Sequence, residues 1–271
     1  MSVDLLVIGL GGNAISPPRG ALTFADERVV IASAASELSV LAREGARLLV
    51  VHGNGPQVGR LLLASAFGDP GSLDVHVAQT QGELGYLLTE ALEARLGIPC
   101  AALVTRVVVA EDDPAFATPT KPIGGVFSAA PADVTSVRTP DGSGFRRVVA
   151  SPRPVSVLEE AAIAELLTHH HVVAGGGGGI PLARRAGGRA CATLHSAERC
   201  DHTGAARRLR KLHSGLHLGS HGSGCELTSR EAHPRLAACK PRECTLLRTA
   251  EALKGVVYIR HEDQSSCIEL H

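Results

Sequence analysis

The sequence has no excess of either charge, because 27 lysine and arginine residues balance 27 aspartate and glutamate residues. A neutral chain has no global field that recruits nucleic acid or an anionic membrane, so we expect small-molecule partners. The chain also lacks an apolar run long enough to span a membrane, and its first residues lead directly into a strand-like run, so we expect no signal peptide. Its seven cysteines form no Cys-x-x-Cys pair, which favours reduced thiols and a cytoplasmic location.

Two common phosphate-binding fingerprints are missing as well: the dinucleotide pattern with its later acidic residue, and the Gly-Lys-Ser/Thr loop. Three glycine-rich segments nevertheless each follow a short apolar run, at residues 9–14, 53–55 and 175–179. Such a run predicts a buried parallel strand, and glycines at its end let the backbone approach an anionic ligand. We expect the three loops to share one edge of a sheet. An ordinary tight turn is the alternative for a single cluster, but it does not account for three.

The first 110 residues alternate apolar strand-like runs with amphipathic helices, which is typical of a doubly wound sheet. The pattern predicts helices at 26–44, 75–96 and 158–169 and a strand at 101–109. Residues 113–154 are rich in proline and contain short β-like pieces, which favours a small inserted lobe over a disordered linker.

The pattern changes near residue 190, since six of the seven cysteines and eight of the thirteen histidines lie in the last 81 residues. Residues 213–245 hold few β-branched or large apolar side chains, so we expect little regular structure there. His213, His217, His221 and Cys225 are spaced by four, but the glycines between them disfavour a helix and no zinc pattern fits, so we predict no metal site. The change is also what a shifted reading frame would produce, and we keep that as a hypothesis.

Six motifs in order make residues 3 to about 189 resemble the carbamate kinases of the amino acid kinase family. They are GGNA at 11–14, HGNGPQVG at 52–59, QTQGELGYLL at 79–88, PTKPIG at 119–124, RRVVASP at 146–152 and GGGGGIP at 175–181. The resemblance implies an α/β fold, a three-layer αβα sandwich with a mainly parallel open sheet and an inserted lobe. Residues 1–189 would form the kinase-like domain, with the lobe at 113–154. Residues 190–271 replace the nucleotide-binding half and lack the family's Asp-Lys-Asp and Gly-Ser-Met-x-Pro-Lys elements, so this part is expected to be irregular or incomplete.

The resemblance also implies roles for individual residues. It assigns backbone contacts with substrate to Gly11, Gly53, Asn54 and Gly55, and catalytic roles to Gly12, Asn13 and Lys121. It assigns the nucleotide phosphates to the loop of Gly176, Gly177 and Gly178. A turn-forming asparagine and a solvated surface lysine are the alternatives for Asn13 and Lys121. His52 is expected to be a buried strand-end histidine and not a general base.

As in the family, the implied reaction transfers a phosphoryl group between ATP and carbamate, giving ADP and carbamoyl phosphate. Mg²⁺ would accompany ATP, and the protein would be a homodimer. The alternative is a catalytically inactive chain that keeps part of the carbamoyl phosphate site. A relative acting on glutamate, aspartate or a nucleoside monophosphate is disfavoured, because those kinases lack the HGNGPQ motif.

Overall fold

A computed structural model gives the fold and describes residues 5–16, 23–43, 45–64, 73–132, 134–184, 190–192, 225–228, 256–260 and 265–269. Five helices are described: α1 (Gly12–Ile15), α2 (Phe24–Arg43), α3 (Gly55–Ala64), α4 (Leu73–Leu96) and α5 (Glu160–Leu166). The strands are β1 (Leu5–Leu10), β2 (Arg47–His52), β3 (Cys100–Ala102), β4 (Arg106–Val109), β5 (Lys121–Phe127), β6 (Ser136–Arg138), β7 (Phe145–Val149), β8 (Pro154–Val157), β9 (His171–Val173), β10 (Ile180–Arg184), β11 (Ala190–Ala192), β12 (Cys225–Thr228), β13 (Val256–Arg260) and β14 (Ser265–Glu269).

The largest sheet has the strand order β12-β14-β13-β1-β2-β9-β3. Its strands β1, β2, β9 and β3 run parallel to one another, while β13 pairs with β1 in the antiparallel sense. Parallel strands are covered on both faces and are therefore apolar along their whole length, as β1 is. The predicted α/β fold with a mainly parallel open sheet is confirmed.

Each face of this sheet has its own apolar cluster, because successive side chains of a strand point to opposite faces. On one face, Leu6 and Ile8 of β1 pack against α2 and α4. On the other, Leu5 and Val7 belong to a cluster with strands β4 and β8 and with Ile163 of α5. The helix α4 thus packs on one face of the sheet, and its residues Thr80 and Gln81 bond to the second and third glycine-rich loops.

The inserted lobe is a separate three-stranded antiparallel sheet with the order β5-β7-β6. It joins the rest of the molecule through a third apolar cluster, in which Ile123 and Val149 of the lobe pack with Val58 of α3 and with Leu73 and Val77 of α4. The lobe is therefore anchored on α3, the helix that begins at the second glycine-rich loop. Outside the lobe, a further four-stranded sheet has the order β11-β10-β4-β8.

Two sequence predictions need correction. The strand expected at 101–109 is broken into β3 and β4, which belong to different sheets, because the backbone of Thr105 turns away to bond with Gln81 and Ile180. The helix expected at 158–169 is only Glu160–Leu166. The helices expected at 26–44 and 75–96 are present as α2 and α4.

The last third of the chain is described only at its strands. The strand β12 at Cys225–Thr228 contradicts the expectation of little regular structure at that point, and it pairs with β14 in the main sheet. The rest of residues 213–245 and the side chains of His213, His217 and His221 lie outside the described residues. Among the helices that the structure describes, none combines the length and apolar character needed to cross a membrane.

Candidate functional site

The first two glycine-rich loops lie side by side at the carboxyl ends of β1 and β2. The Gly53 N–H donates a hydrogen bond of 2.8 Å to the Leu10 carbonyl, which joins the ends of the two strands. A Cβ atom on residue 53 would lie 3.3 Å from the Gly12 nitrogen, so the two backbones pack without a side chain between them. The turn of α1 starts after Gly11, whose carbonyl accepts from the Ala14 N–H at 3.0 Å. Gly11, Gly12 and Gly53 thus form one continuous backbone surface.

The ten-residue helix α3 begins at Gly55, directly after the second loop. Its first regular bond runs from the Val58 N–H to the Asn54 carbonyl at 2.9 Å. N–H groups in the first turn of a helix have no carbonyl partner within that helix, and together with the helix dipole they favour an anion. The start of α3 therefore adds N–H donors beside the surface formed by the first two loops.

The third loop supports the second one. Residues Gly176–Gly178 form a buried 3-10 turn after β9. A Cβ atom on Gly176 would lie 2.6 Å from the His52 ring, and one on Gly177 would lie 2.5 Å from the amide of Asn54. The structure thus shows that these glycines pack directly against the side chains of His52 and Asn54. Contact of Gly176, Gly177 and Gly178 with nucleotide phosphates stays a prediction.

The side chains of Asn54 and His52 are used inside the protein. Asn54 is fully buried, and its amide donates to the Thr80 hydroxyl at 2.9 Å. Any contact that Asn54 makes with a ligand would therefore come from its backbone. His52 is 1 % exposed, and its Nδ1 lies 2.8 Å from the Gly53 carbonyl, to which it donates. Its burial and its bond to the backbone agree with the expected buried strand-end histidine.

Gln81 on α4 ties the third loop to the break between β3 and β4. Its side-chain carbonyl accepts from the Thr105 N–H at 2.6 Å, and its amide donates to the Gly176 carbonyl at 2.8 Å and the Thr105 carbonyl at 3.2 Å. The Thr105 hydroxyl in turn accepts from the Gly175 N–H at 2.8 Å. The sequence placed Gln81 in a motif without giving it this role. Its position facing the sheet on a long helix was the signal that could have shown it.

A buried polar network lies between α1 and α3. The Gln57 amide donates to the Ser16 hydroxyl at 3.1 Å and to the fully buried Glu27 carboxylate at 2.9 Å. Arg60 pairs with Glu27 at 3.2 Å and with Glu83. Burial and a hydrogen bond with Glu27 raise the pKa of Glu83, against the opposing effect of Arg60. The network links the end of α1 to the first turn of α3. No local pattern predicts it, because Glu27 resembles an ordinary acidic residue early in a helix.

Lys121 lies at the start of β5 in the lobe and is partly buried. Its cross-strand partner is Val149, and Val149 and Ile123 both pack toward α3 and α4. Residues two apart on a strand, and residues opposite each other on paired strands, share one face. The Lys121 side chain is therefore on the lobe face that packs on α3. Asn13 lies in α1, and its side chain is outside what the structure describes.

These features define an α/β protein with a glycine-lined backbone surface at the carboxyl edge of a parallel sheet and a lysine-bearing lobe anchored beside it. Residues 4–194 match the model of the amino acid kinase family, and the chain belongs to that family. It is 40 % identical over 179 residues to a carbamate kinase of Lentilactobacillus hilgardii, covering 60 % of this chain and 56 % of that protein. It is 43 % identical over 171 residues to the carbamate kinase of Escherichia coli K12, covering 60 % and 57 %. The chain thus spans less than two thirds of the length of these curated relatives.

Solved structures are similar over a longer stretch. A carbamate kinase from Giardia lamblia bound to citric acid superposes with a TM-score of 0.72 at 25 % identity, covering 100 % of this chain and 99 % of that one. A crystal structure from Aeropyrum pernix K1 gives a TM-score of 0.71 at 28 % identity, covering 98 % and 100 %. These superpositions cover more of the chain than the match to the family model, which ends at residue 194.

Proposed function

We propose that this site serves the carbamate kinase reaction, the transfer of a phosphoryl group between ATP and carbamate to give ADP and carbamoyl phosphate. The observation that carries the proposal is the joined surface of the first two loops, where Gly53 bonds to the end of β1 and α3 starts two residues later. The similarity to carbamate kinases over the same residues supports it. On this proposal the backbone N–H groups of Gly11, Gly12, Gly53, Asn54 and Gly55 hold the carbamate and the phosphoryl group, and Asn13 donates its amide to the latter.

Phosphoryl transfer of this kind depends on positioning and on neutralising the charge of the phosphoryl oxygens. The acceptor oxygen of carbamate is already anionic, so the reaction needs no general base. His52 fits this requirement, because its ring is 1 % exposed and is packed closely against Gly176. The positive charge in the proposal comes from Lys121, on the lobe face that packs on α3.

The proposal includes Mg²⁺ bound together with ATP. Within the described ranges no three His, Cys, Asp or Glu side chains are grouped so as to hold a metal ion. As the resemblance implies, Mg²⁺ is proposed to be bound through the phosphates of ATP, the way this ion is commonly bound. The turn of Gly176, Gly177 and Gly178 is proposed to face those phosphates. A homodimer in the cytoplasm, without nucleic-acid or membrane partners, completes the proposal.

A second candidate is a chain that binds carbamoyl phosphate without transferring its phosphoryl group. It is favoured by the end of the family match at residue 194 and by the absence of the family's lysine-bearing elements after that point. All the proposed substrate contacts lie before this point, so loss of the nucleotide side would leave them in place.

Calorimetric titration with carbamoyl phosphate, followed by an assay of ATP formation from carbamoyl phosphate and Mg-ADP, tests both candidates. Binding with turnover supports the kinase reaction, and binding without turnover supports the second candidate. Absence of binding overturns both. Lys121→Met should weaken carbamoyl phosphate binding at least about tenfold, since a charged partner is removed from an anion. Arg138→Met is the matched control, because Arg138 is an exposed cation of the same lobe.

A further inference from the structure

The lobe and the helix α3 meet at two glycines. Gly59 lies in the second turn of α3, and Gly124 lies in β5. A Cβ atom on residue 59 would stand 2.7 Å from the Gly124 Cα and 3.2 Å from its nitrogen. Both are backbone atoms, so the strand could not avoid the added methyl group by rotating a side chain. The helix and the lobe are thus as close as two backbones can pack.

Gly124 is also held from its other sides. Its φ of +66° is one that residues with a side chain rarely adopt. Its carbonyl accepts from an Arg146 guanidinium N–H at 2.9 Å. The residue before it, Ile123, is fully buried against Val58 of α3. Gly124, which faces Gly59, therefore has little freedom to move without moving the lobe.

The contact lies between the two parts of the proposed site. Gly59 is four residues after the start of α3, about 6 Å along the helix axis from the N–H groups proposed to bind the phosphoryl group. Gly124 is three residues after Lys121, about 10 Å along the strand. A change of spacing at this contact therefore changes the position of the lysine relative to the first turn of α3.

We propose that Gly59 is a positioning residue, whose missing side chain sets how closely the lobe carries Lys121 to the anion site. This inference rests on the proposed function for its ligand. The contact itself does not depend on the ligand. Gly59→Ala is expected to displace the lobe outward and to weaken carbamoyl phosphate binding by about tenfold or more, as misplacement of a binding group by about 1 Å commonly does.

The matched control is Gly82→Ala. Gly82 lies in the interior of α4, and a Cβ atom there meets nothing within 4 Å. Both substitutions exchange a helical glycine for the better helix former. Gly82→Ala should therefore leave binding unchanged and raise the melting temperature slightly, while Gly59→Ala should not.

A double-mutant cycle distinguishes positioning from general damage, with carbamoyl phosphate as the titrated ligand. If Gly59 acts through Lys121, Gly59→Ala costs affinity in the unsubstituted protein but none in the Lys121→Met background. Additive losses, or wild-type affinity in Gly59→Ala, would overturn the proposal. If Gly59→Ala does not fold, Ile123→Ala loosens the same contact from the lobe side and must show the same dependence on Lys121.

Amide hydrogen exchange measures the positioning effect without a ligand. Amides of β5 and β7 should exchange faster in Gly59→Ala than in Gly82→Ala, and equal exchange would contradict the positioning role. If the unsubstituted protein binds no carbamoyl phosphate, the proposed function fails, while exchange still decides whether Gly59 fixes the lobe.

Discussion

Gly177→Ala tests whether the third loop supports the second. Gly177 has a φ of +66°, and its Cβ atom would lie 2.5 Å from both terminal atoms of the Asn54 amide. An ordinary contact needs about 3.4 Å, so the amide must move by about 1 Å and the 2.9 Å bond to Thr80 is lost. A left-handed alanine costs about 1–2 kcal/mol. The unpaired buried amide costs about 1–3 kcal/mol more.

The control for the backbone cost is Gly97→Ala. Gly97 has a φ of +63°, but a Cβ atom there meets nothing within 4 Å. Urea unfolding should show Gly97→Ala losing only the cost of about 1–2 kcal/mol for the left-handed backbone. The further loss in Gly177→Ala measures the clash with Asn54. Carbamoyl phosphate binding should also fall in Gly177→Ala alone. Equal destabilisation by the two variants would refute the packing argument.

Two further predictions concern buried polar groups. Burial and the charge of Arg47 lower the pKa of His171 to about 4, against 6.5 for the ordinary group. As the pH falls, His171 therefore becomes protonated in the unfolded chain before it does so in the folded protein. The free energy of unfolding should therefore be higher above pH 6.5 than near pH 4, by at most about 3 kcal/mol. In urea unfolding, His171→Asn should show a flatter pH dependence between these two values than the unsubstituted protein does. Gln81→Met should lower the free energy of unfolding by about 2–4 kcal/mol because it leaves buried backbone groups unpaired. Gln79→Met is the control, because Gln79 is at an exposed position of the same helix. Equal losses in the two variants would contradict the bonding role of Gln81.

The parts of the fold that the sequence predicted are those with a strong local signal. The run Leu48–Val51 predicts a buried strand, which the structure shows as β2, and its glycine-rich end predicts the loop that follows. Helices α2 and α4 were predicted within two residues at each end. The alignment of three loops at one edge followed from the parallel order of their strands.

The parts that the sequence missed depend on contacts between distant residues. The strand break at Thr105 is caused by Gln81, 24 positions earlier in the chain. The polar network joins Gln57 to Glu27, which are 30 positions apart. The close approach of Gly59 to Gly124 depends on the placement of the whole lobe. Local patterns contain no information on such pairs, so the spacing of the lobe could only be seen in the structure.

The two candidate functions differ in nucleotide binding, which the family resemblance assigns largely to the residues after 190. The strands β13 and β14 extend the main sheet beyond β1, so these residues contribute to the fold. The lysines that the carbamate kinase resemblance requires there are nevertheless missing from the sequence. Without such cations the charge of ATP has fewer partners, since charge-assisted bonds are the strong ones in phosphate recognition.

The second candidate therefore predicts that carbamoyl phosphate binding and ATP binding are separable in the intact chain. Under that candidate, calorimetry shows saturable heat with carbamoyl phosphate and none with Mg-ATP at up to about 1 mM, a limit that corresponds to about 4 kcal/mol of binding free energy. Lys121→Met is the control, because it should remove the first signal without creating the second. Saturable binding of Mg-ATP, with ATP formed from carbamoyl phosphate and Mg-ADP, would show instead that other residues of this chain complete the nucleotide side and that the full kinase reaction takes place.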